Sequence, residues 1–395
     1  MLTRLMTTEE RRVLHAIYST PMPTRLSILG MTGLSNGRTV GALRSLRDKG
    51  FIVSYENTRQ GHGRPSIIHR ISEDAFFAVG VALKMGSCRL VVVSGTGQLL
   101  ESNLIATDNG IREESELLAL LDTIKVSIRQ TISRRDPTRC IAVGVSVLGR
   151  VDTERGIWLS GLQYGPFRNI PVVSVLEEVG VPLMVEDHAR SVAFAELRKR
   201  GNGQTENFVL LYLGEGLGSA LVLDGKLYRG SHGVAGEIGH VALEGNDKRC
   251  VCGDTGCLET VASGSGIRAM VRARIAEGVI SILSTRAEGL ENITLEAIRE
   301  AAAVHDRLAE QVLQEAGAAL GEACSLVMKM VNPPQILVCG EGTVLGEYLR
   351  EPMDRRIRER APYESRLDCL TGFVQYSEND EAVGVALLTI NKVLS

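Results

Sequence analysis

Two neighbouring segments decide how this chain is read: Gly236-Glu237-Ile238-Gly239-His240 and Cys250-Val251-Cys252-Gly253-Asp254-Thr255-Gly256-Cys257-Leu258-Glu259. His240 precedes three thiols spaced C-x-C-x4-C, so Cys250, Cys252 and Cys257 add three sulfurs to its one nitrogen. That donor set closes a tetrahedral zinc shell and leaves no position for water, so the expected metal is structural, one per chain, rather than catalytic. Reduced cysteines in a glycine-rich loop are the plain alternative. Three of the eight cysteines within eight residues argue against it. The staple brings Glu237 and Glu259 beside it, two carboxylates on loops of a rigid scaffold, which is a way to build a polar binding site.

Working outward, 395 residues exceed the size at which one core keeps growing, and two or three domains are expected. A hydrophobic share of 44% with 23% charged residues describes a soluble globular protein. No apolar run is long enough for a bilayer, and Thr7-Thr8-Glu9-Glu10-Arg11-Arg12 interrupts any signal-peptide core. The other cysteines (Cys88, Cys140, Cys324, Cys339, Cys369) are scattered without a disulfide framework, which fits a reducing, cytoplasmic setting. The net charge of −3 hides an asymmetry. Residues 1–72 hold eleven Lys/Arg against four Asp/Glu, a net of +7, while the remainder holds 33 against 43, a net of −10. A basic leading segment on an acidic body points to nucleic acid.

The pattern of that segment agrees. Leu14 and Ile17, flanked by Val13 and Tyr18, form a helical stripe over about 9–19 that Pro21 and Pro23 end. A second helix is predicted from Thr24 to Met31, with Leu26 and Leu29 inward. Gly33 permits the tight turn in Thr32-Gly33-Leu34-Ser35, and Ser35 caps a third helix, Asn36 to Lys49, burying Val40, Leu43 and Leu46. Strands from Phe51 and from Ile67 flank the tip Gly61-His62-Gly63-Arg64-Pro65. This is a winged helix-turn-helix, residues 1–72, with operator DNA as the expected partner. Ser35, Asn36, Arg38 and Thr39 stand at the start of the recognition helix, Arg44 is suited to phosphate, and His62 and Arg64 lie on the wing. Such modules read paired half-sites, which favours a homodimer or a dimer of dimers.

Beyond residue 72 the chain turns to short apolar strands punctuated by glycine. Phe77–Leu83, Arg89–Val93 and Gln98–Ile105 form one strand set; Phe208–Leu213, Gly218–Leu223 and Lys226–Arg229 form a similar one, which suggests an internal duplication. Helical stretches alternate with single strands, giving an α/β architecture of two lobes. Within residues 73–395, lobe one is expected over about 73–185 plus the C-terminal helix, and lobe two over about 186–380. A ligand is expected in the cleft between them.

These residues resemble the ROK family of sugar kinases and sugar-responsive repressors, in its repressor branch. The carriers are Gly236 to His240, Cys250 to Glu259, and Gly63-Arg64-Pro65 after the helix-turn-helix. The resemblance implies an actin-like fold, a sugar site between the lobes and a structural zinc. It implies that Asp187, in Val185-Glu186-Asp187-His188, matches the aspartate that contacts a sugar hydroxyl and serves as base in kinase members. It also implies that Glu237, His240 and Glu259 face sugar hydroxyls, His240 ligating zinc as well. The chain departs from the kinases at their phosphate loops. Leu83-Lys84-Met85-Gly86-Ser87-Cys88 replaces Asp-Gly-Gly-Thr, and Glu215 and Glu341 interrupt Gly214-Glu215-Gly216 and Gly340-Glu341-Gly342. Kinase members carry an asparagine before a segment that closes over the sugar, and Gln163 and Asn169 are the two candidates for its place here. The expectation is a sugar-responsive regulator that does not phosphorylate its ligand. An ATP-dependent sugar kinase with an added DNA-binding domain is the runner-up, and a metal-responsive DNA-binding protein the third reading.

Overall fold

The computed structural model describes residues 6–56, 66–107, 111, 113–161, 165, 167–201, 206–285 and 289–395. The chain opens with helices α1 (Thr8–Ser19), α2 (Arg25–Thr32) and α3 (Asn36–Asp48), then strands β1 (Ile52–Glu56) and β2 (Ile67–Ile71), which pair antiparallel. α1 starts at a capping box: Glu10 N donates to Thr7 Oγ1 and Thr7 N to Glu10 Oε2. Glu10 also ties α1 to α3, accepting from Ser45 Oγ at 2.6 Å and Lys49 Nζ at 2.7 Å. Burial pushes the Glu10 carboxyl up, but the Lys49, Ser45 and Thr7 hydrogen bonds outweigh it and hold it below the usual range. Val13, Leu14, Ile17, Ile28, Leu43, Leu46, Ile52 and Ile68 make the core of this module.

The expected helices are present, with Leu43 and Leu46 of α3 buried as expected, but some residues expected inward on α2 and α3 face outward. Leu26 is 76% exposed and Leu29 half-buried, while Ile28 is fully buried. In α3, Val40 is 43% exposed and Thr39 takes the inward place. A helix of eight residues has too few turns for spacing alone to fix its inward face. Here packing does so: Thr24 bridges to Ile68 of the wing, and His69 N donates to Pro23 O.

By internal contacts the chain divides into residues 1–205 with 378–395, and residues 206–377. In the first unit the winged helix is followed by β3 (Phe77–Lys84), β4 (Ser87–Ser94), β5 (Leu99–Ala106), α4 (Glu114–Ser133), β6 (Cys140–Val147), β7 (Arg150–Asp152), β8 (Ile157–Ser160), β9 (Arg168–Ile170), α5 (Val172–Leu176), β10 (Leu183–Asp187) and α6 (His188–Lys199). The second unit contains β11 (Phe208–Leu213), β12 (Leu217–Leu223), β13 (Lys226–Tyr228), α7 (Glu259–Ala262), α8 (Gly264–Ala276), α9 (Leu295–Ala303), α10 (Arg307–Met330), β14 (Gln335–Cys339), α11 (Glu347–Arg360), α12 (Tyr363–Asp368) and β15 (Leu370–Phe373). The last helix, α13 (Asp380–Leu394), returns to the first unit.

The two five-stranded sheets have the orders β10-β6-β3-β4-β5 and β13-β12-β11-β14-β15. In each, the first strand runs into an antiparallel meander on one side and two parallel strands join on the other. The strand sets singled out in the sequence therefore begin two copies of one topology. The division falls after residue 205 rather than near 185. The reason is pairing: β10 lies parallel to β6, and α6 packs against α13, so both stay with the first sheet. Each core follows helical spacing. Leu117, Leu121, Ile124 and Ile128 of α4 are fully buried in the first unit, as are Leu308, Val312, Ala316 and Leu320 of α10 in the second.

Candidate metal centre and ligand-binding residues

In the second unit, Ile238–His240 forms a single 3-10 turn, and the cysteine loop is folded back on itself. Ala242 bridges to Cys257, Arg249 bridges to Thr255, and Cys250 N donates to Asp254 O at 2.8 Å. The turn sits tightly against β12, where a Cβ on Gly239 would lie 2.2 Å from Leu217 O, so only glycine fits. These folds bring His240, Cys250, Cys252 and Cys257 together, with one ligand atom from each within 4.8 Å of the others. Cys252 Sγ lies 3.7 Å from Cys257 Sγ, and Cys250 Sγ lies 3.7 Å from His240 Nδ1. Zinc bond lengths of about 2.0–2.3 Å at tetrahedral angles give donor separations of about 3.5–3.8 Å. All three cysteines are unbridged. The arrangement is a cluster of one imidazole and three thiols that fits a metal ion.

The carboxylates beside it are held by the same loops. Glu259 opens α7; its Oε2 accepts from Leu217 N at 3.2 Å and its Oε1 lies 3.6 Å from Cys250 Sγ. Glu237 Oε2 lies 3.7 Å from His240 Nε2, the ring nitrogen turned away from Cys250. Glu237, His240 and Glu259 are thus gathered around the cluster, with Glu237 the most exposed.

Asp187 belongs to the first unit, at the end of β10, where it caps α6: Oδ1 accepts from Arg190 N at 2.9 Å. Its Oδ2 pairs with Arg190 Nε, which also donates to buried Glu186 Oε1 at 2.8 Å. His188 and Glu381 continue the polar cluster inward, Nδ1 to Oε1 at 2.6 Å, and Ser146 Oγ donates to Glu381 at 2.9 Å. Sequence reasoning singled out Asp187 and missed Arg190 and Glu381. The available signal was a buried-looking acidic pair, Asp380-Glu381, at the head of an otherwise apolar helix.

In the two loops expected from the sequence to correspond to kinase phosphate loops, the glutamates pair with the chain's own side chains. Tyr212 Oη donates to Glu341 Oε2, and the Tyr376 ring meets Tyr212 edge-on at 5.5 Å. Glu215 pairs with Arg268. At the third such position, Lys84 Nζ lies 3.8 Å from Glu381 Oε2.

On the winged helix, Ser35 caps α3 by accepting from Arg38 N at 3.4 Å. Ser35, Asn36, Arg38 and Arg44 all reach the surface, Arg38 near Glu9 at 3.5 Å and Arg44 near Asp48 at 3.9 Å. Thr39 departs from expectation. It is fully buried and its Oγ1 donates to Ser35 O, so it packs the helix and presents nothing to a base edge. Val40 and Gly41 occupy the outer face instead. His62 and Arg64 lie outside the described residues.

Among the described residues, no helix is long and apolar enough to cross a membrane. The chain is 23% identical to the "Xylose repressor" of Caldicellulosiruptor bescii, over 88% of this chain and 87% of that one. A crystal structure described as a ROK family transcriptional regulator, homolog of E. coli MLC protein, superposes with a TM-score of 0.80 at 28% identity, covering 98% of this chain and 97% of that one. A ROK family glucokinase from Streptomyces griseus, in complex with glucose and AMPPNP, matches with a TM-score of 0.67 at 26% identity, over 79% of this chain and 98% of that one. The glucokinase is spanned almost whole yet leaves a fifth of this chain unmatched. The ROK family model matches residues 86–392, well over half of the chain. The chain belongs to the ROK family.

Proposed function

We propose that this chain is a cytoplasmic transcriptional repressor that binds operator DNA through residues 1–72 and a sugar effector through its ROK body, without phosphorylating the sugar. The observation that carries the reading is the joining of a basic winged helix to a ROK body with glutamates at two phosphate-loop positions, Glu215 and Glu341. Two unit charges of like sign about 4 Å apart at an effective dielectric near 20 repel by roughly 4 kcal/mol, a penalty on a nucleotide's phosphates that at Glu215 is offset in part by Arg268 and so weighs chiefly at Glu341. A xylose repressor and a ROK transcriptional regulator among its relatives support the same reading.

We assign the sugar hydroxyl contacts to Glu237, His240 and Glu259, and on the first unit to Asp187. Carboxylates accept from vicinal hydroxyls, and a metal-held imidazole keeps a fixed orientation. Zinc is the ion best matched to one nitrogen and three thiolates, and in this role it fixes the loop rather than reacting. DNA contacts are assigned to Ser35, Asn36, Arg38 and Arg44, with His62 and Arg64 on the wing. Exposed Val40 adds an apolar surface suited to a thymine methyl group. The functional form is a homodimer or a dimer of dimers, as paired half-sites require.

A second reading, a sugar kinase with an added DNA-binding module, draws on the retained Asp187 and on the glucokinase match. Incubating the purified protein with magnesium, ATP and glucose, xylose or N-acetylglucosamine separates the two. The repressor reading expects no sugar phosphate. Turnover in the usual enzyme range of about 1–1000 per second would establish the kinase.

A further inference from the structure

Within the first unit, α6 and α13 touch through backbone as well as through the side-chain pairs His188–Glu381 and Lys199–Asp380. A Cβ on Gly384 would lie 1.8 Å from Ser191 O, so the two helices have no slack at their closest point. α13 is pressed equally hard on the sheet: a Cβ on Gly80 would meet Ala382 O at 1.9 Å, and one on Gly144 would meet Val385 O at 2.5 Å. A close-packed contact of this kind passes on a displacement rather than absorbing it.

The two ends of α6 carry different chemistry, although Lys199 in its last turn also pairs with Asp380 of α13 at 2.8 Å. At one end Asp187 caps α6, and its neighbour His188, 5% exposed, meets the fully buried Glu381 of α13 at 2.6 Å. At the other end both helices grip α1 of the winged helix. Arg198, near the end of α6, lies 3.9 Å over the Tyr18 ring and donates to Tyr18 O at 2.9 Å. From α13, Leu387 O accepts from Tyr18 Oη at 3.0 Å, and Asn391 Oδ1 lies 3.3 Å from His15 Nε2. The twelve residues of α6 place these ends about 18 Å apart.

We propose that α6 and α13 couple Asp187 to the DNA-binding module, and that Arg198 and Tyr18 are the positioning residues at the receiving end. The inference rests on the assignment of Asp187 to a sugar hydroxyl. A hydroxyl drawn to Asp187 competes with Arg190 for the same carboxylate at the first turn of α6. The buried ion pairs next to it permit discrete arrangements only, because a half-broken pair leaves an uncompensated buried charge. A shift of α6 then reaches α1 through the Arg198–Tyr18 stack, and α13, held to α6 by backbone, follows.

A double-mutant cycle on the full chain tests this with no effector present. Asp187→Asn removes the charge that Arg190 engages, and hydrogen–deuterium exchange is read at α1, Thr8–Ser19. The coupling predicts that Asp187→Asn changes α1 exchange by about fivefold or more, the lower edge of usual couplings. In an Arg198→Met background the change should shrink, the α13 contacts to Tyr18 and His15 carrying what remains. Tyr18→Phe, which keeps the ring and removes only the bond to Leu387 O, should retain part of it and serves as the folding-competent check if Arg198→Met is unstable. No response of α1 to Asp187→Asn overturns the proposal, and so does an equal response in both backgrounds. Calorimetric titration of the wild type and Asp187→Asn with glucose, xylose and N-acetylglucosamine judges the sugar assignment separately. Wild-type affinity in Asp187→Asn would remove Asp187 from the sugar site, whatever α1 does.

Discussion

The two units repeat one five-stranded topology but surround the carboxylates proposed to meet the sugar by different means. In residues 206–377 the securing groups are local: His240, Cys250, Cys252 and Cys257 lie in one short stretch and hold Glu237 and Glu259 beside them. In the first unit Asp187 itself is held by nearby Arg190, but the buried cluster beside it, through His188, draws on distant parts of the chain. Ser146 comes from β6 and Glu381, which meets both Ser146 and His188, from a helix nearly two hundred residues further on. A metal shell replaces long-range packing with a few strong bonds to nearby residues. A buried charge network does the reverse, since each member is costly unless all are in place. The difference predicts that the second unit fails on loss of one ligand atom, and the first on loss of one remote partner.

The largest expected effect is in the metal loop. Structural zinc in small peptides contributes an apparent free energy of about 10–16 kcal/mol, so Cys257→Ser or Cys252→Ser should unfold the loop at least locally. Metal content by atomic emission should fall from about one ion per chain to near zero, with a lower melting temperature. A variant that keeps its ion, or wild type that never contained one, would break the comparison at this side. Next is Glu381→Ala, which leaves His188 and Lys84 facing an empty buried position. Breaking a buried pair costs about 3–5 kcal/mol, read as a shift in the urea midpoint. A cost near zero would mean that the network does not hold the first unit. Ser35→Ala removes the cap of α3 and should cost about 1 kcal/mol of stability in the winged helix.

The smallest effect expected is a pH dependence of that module. Burial lowers the pKa of His15 against a smaller upward pull from Asn391, and burial followed by the charge of Arg47 lowers that of His69. The folded module therefore binds fewer protons than the unfolded one. Its full stability holds above the ordinary histidine value near 6.5, and is lost as pH falls from there through the lowered folded values. Thermal melts of the full chain between pH 7.5 and pH 5.5, read at the N-terminal module, should show it. Greater stability at the acid end would contradict the buried, neutral state of both rings.

The same contrast explains what could be read from the chain. The metal loop was legible because ligand spacing is a local property, and the repeated sheets because glycine-bounded apolar runs recur in the same order. The winged helix was legible in outline through Ser35, Gly33 and the stripe of α1. Its inward faces were legible in part: Leu43 and Leu46 are buried as expected, whereas Ile28 and Thr39 are buried in place of Leu26 and Val40, the wing setting the rotation of the short α2. The unit boundary depended on the pairing of β10 with β6, and the partner of His188, next to Asp187, on the return of α13. Neither leaves a periodic trace. Tyr18 looked like one more core residue, and its role as the seat of Arg198 follows only from contacts across 180 residues.

The central claim, a repressor whose sugar acts on DNA binding without being phosphorylated, is tested most directly by one titration series. Fragments of the source genome retained by wild type but not by Arg38→Ala supply the operator. Its affinity is then measured by fluorescence anisotropy with and without glucose, xylose and N-acetylglucosamine, for wild type and Glu237→Ala. The account predicts that at least one sugar shifts the wild-type affinity by about 5–150-fold, the usual span of allosteric coupling, and that Glu237→Ala binds the operator normally but ignores the sugar. Wild-type operator affinity that none of these sugars alters, or a Glu237→Ala variant that responds as the wild type does, would contradict it.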